Sequence, residues 1–126
     1  MGAGKTILVV DDEAFMLDFV RRILEPAGYR VVTAKSAATG RAAFRAERPD
    51  LVITDLIMPE KDGLELIQEL RREDPDACIL AISGGGRSQY INALDAAKAF
   101  GARETLRKPF LPNVLLEAVA RALAPA

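Results

Sequence analysis

Apolar and polar positions fall into two kinds of block that alternate along this chain. Short, nearly unbroken apolar runs recur at Ile7-Leu8-Val9-Val10, Val31-Val32-Thr33-Ala34, Leu51-Val52-Ile53-Thr54 and Ile79-Leu80-Ala81-Ile82. Their length and lack of alternation suit strands buried on both faces of a sheet. Thr105-Leu106-Arg107 is a weaker fifth run. The segments between them carry helical period. Phe15, Met16, Phe19, Val20, Ile23, Leu24 and Ala27 form one broad stripe, closed by Gly28. Ser36 suits the N-cap of an alanine-rich helix that reaches about Glu47, with the break marked by Pro49. Leu64, Leu66, Ile67 and Leu70 predict a third helix ending before Pro75, a fourth is expected near Gln89 to Phe100, and Val114, Leu115, Ala118, Val119, Ala122 and Leu123 predict a fifth after Pro112. Met58-Pro59-Glu60-Lys61-Asp62-Gly63 reads as an ordered turn in which Gly63 permits a positive φ. Five strand-helix units predict an α/β sandwich with a parallel sheet and right-handed crossovers.

The strands end on chemistry. The first runs into Asp11-Asp12, the third into Asp55, the fourth into Ser83 and the fifth into Lys108. Open parallel sheets bind ligands beyond the carboxyl ends of their strands, so these residues predict one composite site scattered through the sequence.

Composition narrows what that site does. The 126 residues fit a single domain, 1–126; no output domain is expected in this chain, which either stands alone or is cut from a longer protein. Seventeen basic residues against eighteen acidic ones give a formal charge of -1, so no basic field points to direct contact with nucleic acid. No apolar stretch approaches the roughly 20 residues of a membrane span, and no secretory segment opens the chain. A cytoplasmic location is expected, and Cys78, the single cysteine, reads there as an inert buried thiol. The chain contains no histidine, which removes imidazole as a base, a zinc ligand or a phosphoryl carrier. Phosphohistidine chemistry would have to come from a partner.

Three carboxylates brought together repel: two unit charges about 4 Å apart interact by about 4 kcal/mol at an effective dielectric near 20. A cation or a raised pKa relieves this. Oxygen donors with no nitrogen or sulfur nearby suit Mg²⁺ or Mn²⁺, and phosphate is the natural further ligand of such an ion. Lys108 offers a point charge for phosphoryl oxygens and Ser83 a hydroxyl. A carboxylate is a competent nucleophile for phosphorus; Asp55, alone at its strand end, suits that role, while Asp11 and Asp12 suit the metal. Read singly, each residue has a plainer account: Asp12 or Glu13 as helix caps, Ser83 as a loop serine before Gly84-Gly85-Gly86, Lys108 as a solvated cation. Their convergence outweighs those readings.

These residues carry a family resemblance. Val9-Val10-Asp11-Asp12-Glu13, Asp55-Leu56-Ile57-Met58-Pro59, Ser83 and Lys108-Pro109-Phe110, separated by about 25 to 45 residues so that whole βα units fit between them, resemble the receiver (CheY-like) domain of two-component response regulators over essentially the full length. The resemblance implies a flavodoxin-like (βα)5 fold of strand order 2-1-3-4-5. It implies a phosphoacceptor signalling switch in a phosphorelay, not an enzyme acting on separate substrates. Asp55 would take a phosphoryl group from a sensor histidine kinase or a histidine phosphotransfer protein. Asp11, Asp12, Asp55 and the backbone carbonyl of Ile57 would hold Mg²⁺, and Ser83 and Lys108 would contact the phosphoryl group. It further implies a Lys108–Pro109 bond that is often cis, and a downstream target on the face of the fourth helix, fifth strand and fifth helix, with Tyr90, Asn92, Arg103 and Arg107 as candidate contacts. One position departs from the family pattern. After Gly101-Ala102-Arg103-Glu104 the family commonly has an aromatic residue, and this chain has Thr105.

The rival readings rest on fewer residues. A haloacid-dehalogenase-like phosphohydrolase needs Asp-x-Asp where this chain has Asp11-Asp12-Glu13; an FMN-binding flavodoxin needs a hydroxyl-rich phosphate loop after the first strand; an unphosphorylated receiver-fold adaptor has no need of the five site residues. Gly4-Lys5-Thr6 matches the tail of a P-loop, but it precedes a strand and opens no helix.

Overall fold

The computed structural model describes residues 4–56, 58, 63–83 and 95–125. Five strands, β1 (Thr6–Val10), β2 (Arg30–Ala34), β3 (Leu51–Asp55), β4 (Ile79–Ser83) and β5 (Glu104–Arg107), form one sheet in the order β2-β1-β3-β4-β5, every neighbouring pair parallel. Helices α1 (Ala14–Leu24), α2 (Ala37–Glu47), α3 (Gly63–Glu73), α4 (helical residues 95–99) and α5 (Pro112–Leu123) follow the strands in turn. The flavodoxin-like architecture and strand order expected from the sequence are those observed. The first part of the fourth expected helix, and the turn proposed over residues 59–62, lie outside the described residues.

The unbroken apolar runs have a direct physical cause. Successive side chains of a strand point to opposite faces, and both faces of this sheet are covered. Ile7, Val9, Leu51, Ile53, Leu80 and Ile82 pack with Leu17, Val20 and Leu24 of α1 and Leu115, Ala118 and Val119 of α5. Leu8, Val10, Val52 and Ala81 pack on the other face with Phe44 of α2, Leu66, Ile67 and Leu70 of α3, and Ala97 of α4. Each large aliphatic residue so buried contributes about 1.5–3 kcal/mol by removal from water. β5 is the weak run because it is an edge strand whose residues Glu104, Thr105 and Leu106 are only half-buried.

Helix ends follow local chemistry. α2 opens with a capping box: the Ser36 hydroxyl accepts from the Thr39 N–H at 3.1 Å, and the Thr39 hydroxyl accepts from the Ser36 N–H at 3.1 Å. After α1 a short 3₁₀ turn over Glu25–Ala27 ends at Gly28, whose φ of 99° is the left-handed conformation that glycine accepts readily. Cys78 is half-buried and its thiol donates to the Ala122 carbonyl at 2.9 Å; burial pushes the thiol pKa up, which disfavours the reactive thiolate. Among the described residues no helix is long and apolar enough to cross a membrane.

Two carbonyl ends of strands are locked to each other just where the site begins. The Lys108 N–H donates to the Ser83 carbonyl at 2.8 Å, and the Leu56 N–H donates to the Ile82 carbonyl at 2.9 Å. The sheet therefore delivers Asp55, Ser83 and Lys108 to one edge in fixed relation. β2 lies at one edge of the sheet, and its last carbonyl, that of Ala34, accepts from the Asp11 N–H at 3.1 Å.

Candidate functional site

Asp11, Asp12 and Asp55 each present a carboxylate oxygen, and these atoms lie within 4.8 Å of one another. Asp11 and Asp55 are buried, Asp12 is exposed. Lys108 reaches the same point from β5: its Nζ is 3.3 Å from Asp11 Oδ2 and 3.3 Å from Asp55 Oδ2. One ammonium thus bridges two carboxylates from different strands. The other oxygen of Asp11 is also engaged, accepting the Glu13 N–H at 2.9 Å ahead of α1. That contact bears on the helix-cap readings of the acidic segment. Glu13 occupies the N-cap position of α1 and its side chain makes no capping hydrogen bond, so Asp11 satisfies an orphan amide there while facing the cluster.

The electrostatics follow from burial. Removal from water is the largest influence on Asp11 and raises its carboxyl pKa above the ordinary value, against the pull of the Glu13 amide and the Lys108 charge. For Lys108 burial alone acts downward, but the charges of Asp55 and Asp11, with the hydrogen bonds to them, outweigh it and the ammonium is held above its ordinary value. Lys108 therefore remains charged beside the aspartates at neutral pH.

Ser83 is fully buried at the end of β4, and its Oγ has no hydrogen-bond partner among the described residues. A buried hydroxyl left unpaired is costly, and at a ligand site it marks a place where a bound group supplies the missing partner. The Lys108–Pro109 peptide is cis, as the resemblance implies. The Ile57 carbonyl, offered above as a metal ligand, lies outside the described residues, as do Tyr90 and Asn92. Arg103 and Arg107 are exposed on and beside β5, with Arg103 donating to the Ala124 carbonyl at 2.7 Å. Thr105 pairs in register with Ala81 and is half-buried.

Gly63 requires a correction. Sequence reasoning assigns it a positive φ, yet it is the first residue of α3 and is absent from the positive-φ glycines among the described residues, Gly4, Gly28 and Gly101. Its need is for space. A Cβ on Gly63 would run into the Asp55 carbonyl oxygen and lie 2.7 Å from the Leu56 Cα, while the Gly63 N–H donates to the Leu56 carbonyl at 2.9 Å. The glycine lets α3 begin directly against the backbone of Asp55. No local sequence signal distinguishes that close approach from a turn.

A doubly wound parallel sheet with three acids and a lysine at its carboxyl edge is the receiver-like arrangement that the sequence resemblance implies. Comparison with known proteins agrees: residues 7–120 match the family model described as the response regulator receiver domain. The chain belongs to that family, the receiver domains of two-component response regulators. It is 39% identical over 119 residues to the chemotaxis protein CheY of Thermotoga maritima, covering 92% of this chain and 95% of that one. It is 34% identical over 125 residues to the phosphate regulon transcriptional regulatory protein PhoB of Pseudomonas aeruginosa, covering 97% of this chain and 54% of the relative. Among solved structures, the receiver domain of NtrX from Brucella abortus superposes with a TM-score of 0.89 at 34% identity, covering 95% of this chain and 99% of that one. A receiver domain protein from Clostridium thermocellum superposes at 0.88 with 32% identity and 94% of both chains covered.

Proposed function

We propose that this receiver is a phosphoacceptor switch in which Asp55 accepts a phosphoryl group from a partner's phosphohistidine, and that the acceptor state alters binding to a downstream protein. The observation that carries this reading is the single Lys108 ammonium held 3.3 Å from both Asp11 and Asp55, inside a cluster of three carboxylates. A structural ion pair needs one partner for each charge. Among the described residues three acids and one lysine converge beside a buried hydroxyl with no described partner, an arrangement that suits a cation beside the acids and an anion beside the hydroxyl.

The residues present fit Mg²⁺ or Mn²⁺: among the described residues the donors are carboxylate oxygens, two just past β1 and one at the end of β3, with one of the acids open to solvent. Asp11, Asp12 and Asp55 would hold the ion, with the Ile57 carbonyl as a further ligand. When bound, such an ion offsets charge on the phosphoryl oxygens. The chain's own groups then divide the work. An oxygen of the Asp55 carboxylate attacks phosphorus in line with the donor nitrogen. The new P–O bond forms as the P–N bond breaks, and the electron pair returns to the imidazole of the partner. Lys108 keeps its proton and draws toward the equatorial phosphoryl oxygens, and the Ser83 hydroxyl donates to one of them.

A macromolecular donor fits the surroundings. Phe15 is 76% exposed, stacks on Phe19 with ring centroids 6.4 Å apart, and Phe19 meets Phe110 at 5.9 Å. With Met16, Pro109 and Lys108 they line a hollow of about 190 Å³ immediately beside the site. An apolar rim next to a charged centre suits a partner protein that carries the histidine this chain lacks, a sensor kinase or phosphotransfer protein. The face of α4, β5 and α5, including Arg103 and Arg107, is the proposed surface for the downstream target.

The test is labelling by acetyl phosphate, followed by intact mass. One phosphoryl group should be added in the presence of Mg²⁺ and lost with chelator or in Asp55→Asn. A folded wild-type protein that takes no label from acetyl phosphate, phosphoramidate or a phosphorylated histidine protein overturns the reading.

A further inference from the structure

We infer that Thr54 is a positioning residue for the reaction proposed above, holding the Asp55 backbone so that the carboxylate stays aimed at Lys108 and the acidic pair. Thr54 is fully buried in β3, following Leu51, Val52 and Ile53, all three buried and apolar. Valine would fill the same space in such a strand without a polar atom. Burying a hydroxyl costs free energy unless it is hydrogen-bonded. The Thr54 hydroxyl makes one such bond, donating to the carbonyl oxygen of Asp55 at 3.0 Å. The polar atom is thus spent on the backbone of the acceptor residue itself.

A second device converges on the same oxygen. Gly63 packs so closely that any Cβ there would strike the Asp55 carbonyl oxygen. The following peptide is held as well, since the Leu56 N–H donates to the Ile82 carbonyl and the Leu56 carbonyl accepts from Gly63, both at 2.9 Å. With the carbonyl of Asp55 fixed by a hydroxyl and a glycine, and the next amide tied to β4, rotation about the bond from the Asp55 Cα to its carbonyl carbon is blocked. Because the chain is anchored on both sides of Asp55, in β3 before it and at Leu56 after it, such a rotation has to be compensated about the preceding N–Cα bond, which tilts the Cα–Cβ bond and moves the carboxylate from its 3.3 Å contact with Lys108. Small displacements of a reacting group are costly to rate, so a hydroxyl that touches no substrate still acts on the reaction through Asp55.

This inference rests on Asp55 being the phosphoacceptor, and the experiment separates the two claims. Wild type, Thr54→Val, Thr54→Ser and Asp55→Asn are compared for the rate of labelling by acetyl phosphate at saturating Mg²⁺, for Mg²⁺ affinity by calorimetric titration, and for urea midpoint. Thr54→Val should label about tenfold more slowly and bind Mg²⁺ more weakly, with a urea midpoint equal to or above that of wild type. Thr54→Ser, which keeps the hydroxyl, should restore both to within about twofold of wild type. Three results overturn the inference while leaving the acceptor reading intact: Thr54→Val labels like wild type, Thr54→Ser is as slow as Thr54→Val, or the labelling loss tracks a fall in urea midpoint. Wild type that takes no label overturns both.

Discussion

The Lys108 ammonium stands 3.3 Å from Asp11 Oδ2 across 97 residues of sequence, and the same nitrogen is 3.3 Å from Asp55. The side chains are little exposed, 17% for Lys108 against 4% for Asp11 and 7% for Asp55, so solvent screens these pairs weakly. Removing the cation leaves two buried carboxylates to repel each other. Lys108→Met should therefore destabilise the fold by about 1–3 kcal/mol at pH 7. The pH dependence has a definite sign. Lys108 is raised from its ordinary 10.5, so its stabilisation is fully present below that value and is lost as pH climbs through the raised one. The Asp11 carboxyl is raised from 3.8, so its ionisation subtracts stability as pH rises from 3.8 through the raised value. The Lys108→Met deficit should accordingly shrink as pH falls toward 3 and the Asp11 carboxyl is protonated. Urea unfolding across that range at constant m-value measures it.

Asp12 offers a way to separate the metal from the fold. It is exposed and shares the acidic cluster, yet no described ion pair depends on it. Asp12→Asn should leave metal-free stability within about 0.5 kcal/mol of wild type. Wild type should gain about 2.7 kcal/mol when Mg²⁺ is 100 times its Kd, because a ligand that binds only the native state stabilises it by mass action. In Asp12→Asn most of that gain should vanish. Thermal melts over a Mg²⁺ series, with chelator as the zero point, decide the matter; an equal gain in the variant would remove Asp12 from the ligand set.

Ser83 makes the opposite kind of demand on the fold. Its buried Oγ without a described partner costs stability in the unmodified protein. Ser83→Ala removes that oxygen and leaves only a small void, so the unphosphorylated variant should be as stable as wild type or more stable by about 1 kcal/mol. The phosphorylated state should respond in the other direction, because there the hydroxyl has an acceptor. Phosphorylation is expected to raise the urea midpoint of wild type more than that of Ser83→Ala. A large loss of stability in the unmodified variant would mean that the hydroxyl is already satisfied.

The strand-end residues were legible because each follows its own apolar run, and a parallel sheet brings such ends together whatever the intervening sequence. The family pattern added the strand order and the cis Lys108–Pro109 bond, neither of which periodicity contains. What escaped the sequence is what depends on distance between elements. The runs Ile7 to Val10 and Leu51 to Thr54 look uniform, and only the two packed faces reveal that Ile7 and Val9 serve one core while Leu8 and Val10 serve the other. Gly63 looked like a turn glycine because it follows Asp62, whereas its constraint is the Asp55 carbonyl on another element. The Thr54 hydroxyl has no sequence signature at all, since threonine is an ordinary strand residue. Arg71 is similar: nothing in the sequence sets it apart from Arg72 beside it, yet it donates to the carbonyls of Pro75, Ala77 and Gly101 at 2.6–2.8 Å and ties the end of α3 to the turn after α4.

Gly40 tests whether close packing behind the sheet reaches the acidic edge. It lies in α2 over Val10, the residue that precedes Asp11, and a Cβ there would be 2.8 Å from Val10 Cγ2 and 3.1 Å from Cγ1. Val10 belongs to β1, held between β2 and β3, so the strand yields less readily than the helix. Gly40→Ala should lift α2 and cost about 1–3 kcal/mol through overpacking, offset in part by the better helix propensity of alanine. Val10→Ala alone should cost about 2–3 kcal/mol by leaving a cavity. In the double variant the added methyl occupies the space the valine vacates, so the two penalties should fall short of their sum by at least about 1 kcal/mol. The labelling rate of Asp55 discriminates where the strain goes. If α2 yields, Gly40→Ala labels like wild type despite its lower urea midpoint; if β1 yields, Asp11 moves with Val10, Mg²⁺ affinity falls in the single variant, and Val10→Ala restores it in the double.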